Sequence, residues 1–96
     1  MIRHAVVFTL KHPPGSAAEA KFLEDALILE KIPTVRNFER LREVSPKNGF
    51  KFGFAMEFET QAAYDAYNTH PDHVAFVRDR WQTEVADFME TDTVRI

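Results

Sequence analysis

Phe50-Lys51-Phe52-Gly53-Phe54-Ala55-Met56-Glu57-Phe58-Glu59 alternates without a break, bulky apolar side chains at the even positions and small or charged ones at the odd. Successive side chains of an extended chain point to opposite faces, so this is a strand with one face for a core and one thin face. Just before it, Ser45-Pro46-Lys47-Asn48-Gly49 is turn chemistry, and before the turn Arg36 to Val44 reads as another strand. There Arg40 and Arg42 share a side with Phe38, while Glu39 and Glu43 share the other with Leu41. Charge on both faces marks a sheet edge, so these two strands are expected to form a hairpin with the charged one outermost.

Toward the amino terminus, Ile2, His4, Val6, Phe8 and Leu10 share one side of a strand and Arg3, Ala5, Val7 and Thr9 the other. His12-Pro13-Pro14-Gly15 breaks it. Ser16-Ala17-Ala18-Glu19 then offers a capping box, hydroxyl and carboxylate each satisfying a free backbone N–H at a helix start. The helix is expected to run to about Lys31, burying a stripe of Phe22, Leu23, Ala26, Leu27 and Ile32 before Pro33 ends it. Toward the carboxyl terminus, Thr60 caps a short helix through about Asn68. Pro71 opens another with Val74, Val77 and Trp81 at helical spacing, and a last strand lies within Val85 to Val94.

The order β-α-β-β-α-β is that of an α+β, ferredoxin-like fold with an antiparallel four-stranded sheet whose first and third strands are central. If the bulky faces of those strands meet the helices, the opposite face presents Ala5, Val7, Gly53 and Ala55, small enough for another sheet to approach. A homodimer packed sheet to sheet is the expected partner. The alternative is a solvated back face, for which Lys51, Glu57 and Glu59 supply the polarity.

With 96 residues the chain is expected to be one domain, 1–96, small enough for partnering to help its core. Twelve Lys plus Arg against fifteen Asp plus Glu leave a net charge of -3 with the basic residues dispersed, which argues against nucleic acid. There is no cysteine, hence no disulfide and no thiolate nucleophile. No signal-peptide pattern and no long apolar run are present, so no membrane partner and a cytoplasmic location are expected.

Three polar groups stand out: His4 within an apolar strand face, and Tyr67 and His73 in Tyr67-Asn68-Thr69-His70-Pro71-Asp72-His73. His4 points where Val6 points, toward the helices, so its imidazole needs a partner there or lines a cavity. Pro71 at the first helical position puts His70 at the cap and His73 in the first turn, where the helix dipole favours a neutral ring. Asp72 pulls toward imidazolium, and the sequence leaves that balance open. A neutral histidine is a general base and a tyrosine hydroxyl can hold a developing oxyanion, which suits proton abstraction beside a carbonyl without a cofactor. The plain alternative is that all three are capping and packing groups, and His12, beside Pro13, is expected to face solvent. A metal reading, with His70, Asp72, His73 and His4 as ligands, lacks any established zinc spacing. No phosphate loop or dinucleotide fingerprint occurs.

Ile2-Arg3-His4-Ala5-Val6-Val7-Phe8, Phe52-Gly53-Phe54-Ala55-Met56-Glu57-Phe58 and, above all, Tyr67-Asn68-Thr69-His70-Pro71-Asp72-His73-Val74-Ala75-Phe76 together resemble the stress-responsive A/B barrel (Dabb) domain family over nearly the whole chain. The resemblance implies a dimeric α/β barrel of ferredoxin-like subunits. A plant polyketide cyclase of this family closes its substrate by aldol condensation without metal or cofactor. On that likeness His73 is the candidate general base, Tyr67 the candidate carbonyl hydrogen-bond donor, and His4 a pocket partner of that tyrosine. The implied ligand is a small, mainly apolar carbonyl compound, with cyclase- or isomerase-like chemistry on it. The competing function is a non-catalytic stress-response dimer or ligand-binding module. The wider superfamily also holds haem-degrading enzymes, but no residue here is marked as an axial haem ligand.

Overall fold

The computed structural model describes residues 1–96. Strand β1 spans Ile2–Leu10, helix α1 Ala17–Asp25, β2 Arg36–Arg42, β3 Phe52–Phe58, helix α2 Gln61–Thr69, helix α3 Pro71–Phe76 and β4 Val85–Thr93. The sheet runs β2-β3-β1-β4 with every pairing antiparallel, and the helices cover one face. This is the ferredoxin-like arrangement expected from the element order, with β1 and β3 central and the charged β2 at an edge. No helix is long and apolar enough to cross a membrane.

The core lies between sheet and helices. Phe8, Phe54, Met56 and Phe58 rise from the sheet to meet Phe22 of α1, Tyr64 and Tyr67 of α2 and Phe76 of α3. Phe58 stacks flat on Tyr64 at 4.8 Å and lies 5.2 Å from Tyr67, so one strand side chain fixes both tyrosines.

Three local departures occur, two of them with a physical reason in the side chains involved. The first helix is α-helical only to Asp25; Ala26–Lys31 continues it as a 3-10 helix. A three-residue repeat puts Ala26, Leu29 and Ile32 in one line, and all three are buried, whereas the expected Leu27 is only partly covered. In β2 the register with β3 shifts between Arg36 and Glu39, and Asn37 there adopts φ 52°, a left-handed conformation asparagine tolerates. Beyond α3 the chain passes through a π turn, Val77–Trp81, before a last α turn at Gln82–Glu84.

All three capping expectations hold, Thr60 Oγ1 accepting from the Ala63 N–H at the start of α2. Ser16 Oγ accepts from the Glu19 N–H and Glu19 Oε1 from the Gly15 N–H. His70 caps α3, its Nδ1 accepting from the Asp72 N–H at 3.1 Å, with Pro71 at the first turn. His12 departs from expectation: it is turned inward to Glu84, Nε2 to Oε1 2.7 Å, because the carboxylate at the end of the second helical region needs a donor there.

Candidate functional site

A cavity of about 520 Å³ opens between the sheet and the second helical region, a size typical of small-molecule sites. His4, Tyr67 and His73 all line it, with Val6, Phe54, Met56 and Trp81 among its apolar walls. The Tyr67 ring lies 4.2 Å from the His73 ring and 6.3 Å from that of His4. One strand and one kinked helix pair therefore bring together residues 69 positions apart in the chain.

His73 Nδ1 donates to the Asn68 carbonyl at 3.2 Å. A carbonyl can only accept, so the proton sits on Nδ1 and the neutral ring keeps its lone pair on Nε2. Burial pushes the His73 pKa below its ordinary value; the Asn68 bond pulls back, and the His4 and His70 rings reinforce the lowering. The Asp72 carboxylate instead sits 4.0 Å from His70 Nδ1. Burial thus resolves the balance that the sequence left open, in favour of the neutral ring.

Tyr67 is buried, yet its hydroxyl has no hydrogen-bond partner in the protein and is not sealed off from the cavity. Burial raises its pKa, with the neighbouring Tyr64 and Glu90 adding to the effect. It stays a phenol with an uncommitted O–H, which is what a ligand oxygen requires.

His4 shares the cavity with Tyr67 but makes no hydrogen bond to it. Its Nδ1 donates to Asp92 Oδ1 at 2.7 Å, and the Tyr64 hydroxyl stands 2.9 Å from that same nitrogen. Tyr64 in turn donates to Asp92 Oδ1 at 2.9 Å. Burial first, then the hydrogen bond to Asp92, pushes the Tyr64 pKa up, so the phenol holds its proton. With Nδ1 committed to a carboxylate, Nε2 is the His4 nitrogen left for a ligand.

Tyr64 and Asp92 escaped sequence reasoning. Tyr64 precedes Tyr67 by three residues and so shares its helix face, a signal that was available. Asp92 was not, because its place opposite His4 follows from the β1–β4 register. No three His, Asp or Glu side chains are grouped as a metal ion would need.

The chain matches the family model described as Stress Responsive A/B Barrel Domain over residues 2–94. Among solved structures it resembles a Dabb family protein with a ferredoxin-like fold from Mesorhizobium loti at 59% identity and TM-score 0.98, covering 99% of this chain and 96% of that one. It also resembles a dimeric ferredoxin-like protein of unknown function from Thermobifida fusca, at 21% identity and TM-score 0.77, covering 98% and 90%. A third is a hydroxynitrile lyase from Passiflora edulis, at 13% identity and TM-score 0.83, covering 99% and 93%. The last two likenesses are of fold alone. None of the curated proteins matches the chain.

Proposed function

The chain belongs to the stress responsive A/B barrel (Dabb) domain family, and on that premise we propose that its cavity binds a small, mainly apolar carbonyl compound and moves a proton on it. One observation carries the reading: a partly buried His73, its pKa lowered, and an uncommitted Tyr67 phenol face the same cavity with their rings 4.2 Å apart. His73 Nε2 takes a proton from the carbon beside the carbonyl, and the electron pair moves onto the carbonyl oxygen. The Tyr67 hydroxyl donates to that enolate oxygen, and His4, held by Asp92 and Tyr64, offers Nε2 to a second polar group of the ligand. Returning the proton to another carbon isomerises the compound. Attack of the enolate carbon on a second carbonyl of the same molecule closes a ring, the new alkoxide taking the proton back from His73. Two copies of the chain pair sheet to sheet, as the uncovered small-residue face suggests.

The test is deuterium uptake from D2O into acetylacetone and benzylacetone, followed by NMR, alongside binding read from Trp81, the chain's single tryptophan, in the cavity wall. The wild type is expected to bind and to accelerate exchange. His73→Gln is expected to bind but lose roughly 10²–10⁴-fold in exchange, the usual worth of a positioned base. Tyr67→Phe should lose about 10-fold or more. Binding without acceleration in the wild type would leave the non-catalytic module as the function, and no binding would remove the ligand reading.

A further inference from the structure

The helix-facing row of β4 runs Phe88, Glu90, Asp92 opposite Phe8, Val6 and His4 of β1, and Phe88 and Glu90 of that row line the cavity. Asp92 is committed to His4 and Tyr64. Glu90 is not: it is an exposed residue of the cavity wall that makes neither a hydrogen bond nor an ion pair with the protein. No lysine or arginine lines the cavity. The two arginines of the neighbouring π turn are already engaged, Arg78 with Asp79 and Arg80 with Asp25 and Glu84. Beside Glu90, the Phe88 ring meets Trp81 edge-on at 5.5 Å, both facing the same space.

A site built for a free acid or a phosphate supplies a guanidinium or ammonium to meet it. This one supplies an unneutralised carboxylate among aromatic faces, which repels a second anion and attracts an ammonium, helped by the ring quadrupoles. The reach of that charge is visible in the raised pKa of Tyr67, to which Glu90 contributes. Resting on the ligand-binding reading above, we propose that Glu90 sets the charge specificity of the cavity. The ligand is an uncharged carbonyl compound or one bearing an amine, and free carboxylates and phosphates are turned away.

The experiment uses benzylacetone and its para-carboxylate and para-aminomethyl derivatives, binding being read from Trp81 fluorescence on the full chain. In the wild type the carboxylate is expected to bind about five- to tenfold more weakly than benzylacetone and the amine at least as tightly, the scale of one partly exposed charge. Glu90→Gln should bring the carboxylate-to-benzylacetone ratio of dissociation constants close to one, and salt should do the same to the wild type. If all three bind but the ratio is flat in the wild type, or unmoved by Glu90→Gln, the charge assignment is overturned while ligand binding stands. If none of the three binds, the ligand-binding reading itself falls, and this one with it.

Discussion

Around His73 the fold favours one protonation state. The ring is partly buried; burial, the His4 ring and the His70 ring all disfavour its cation, while the Asn68 carbonyl and Glu90 favour it, and the net result is a pKa below the ordinary 6.5. Because the unfolded chain binds the proton more readily, the contribution of this ring to stability is whole above pH 6.5 and is lost as pH falls through the folded value. The same depression keeps the base free at neutral pH. Two-dimensional NMR of the imidazole is therefore expected to show His73 titrating below 6.5, with the acid limb of exchange activity following it and vanishing in His73→Gln. A titration above 6.5 would remove the neutral base. At this scale the sequence carried His4, Tyr67 and His73 because residue type and helix phase are local properties. Asp92 and Glu90 were hidden because their places opposite His4 and Val6 are set by β1–β4 pairing, between residues more than eighty positions apart.

Between elements, the π turn after α3 forms part of the cavity wall. The π turn at Val77–Trp81 carries Val77 and Trp81 into the cavity, and its shape is held from outside by ion pairs. Arg80 bonds both Glu84 and Asp25, and His12 bonds Glu84 from the loop after β1. Burial raises the Glu84 pKa, but the Arg80 and His12 bonds outweigh it, so the group ends below its ordinary 4.5. Arg80→Met leaves Glu84 with His12 and Asp25 with Lys21 as their remaining partners and should cost roughly 1 kcal/mol, the upper end for a largely exposed pair. Urea unfolding is the check, and an unchanged midpoint would mean the bracket does not hold the turn. Strand alternation, caps and the Pro71 start were legible because each is written in a few adjacent residues. The 3-10 segment was not: apolar residues at 26, 27, 28, 29 and 32 fit either helical period, and the sheet beneath selects the three-residue one.

For the molecule as a whole, the helices cover one face of the sheet and leave the other bare. Its rows read across the strands as Leu41-Gly53-Val7-Met89, then Glu39-Ala55-Ala5-Thr91, then Arg36-Glu57-Arg3-Thr93. The first row is apolar, with Leu41 43% and Met89 55% exposed in the isolated chain; the second is nearly flat; the third alternates charge. A Cβ on Gly53 would stand 3.2 Å from the Val6 carbonyl oxygen and 3.6 Å from Val7, so this part of the face stays low. Such a surface suits a two-fold partner, whose own apolar row it can cover while opposite charges of the third row find one another. A dimer is expected by sedimentation at micromolar concentration, with a melting temperature that rises with concentration. Val7→Lys places an ammonium, without a partner, at the middle of the apolar row. It should weaken association by on the order of 3 kcal/mol, more than a hundredfold, while the half-buried position, outside the buried core between sheet and helices, lets the single chain keep its fold. A wild type that sediments as a monomer would return this face to solvent. A Val7→Lys dimer as tight as the wild type would move the contact to another surface.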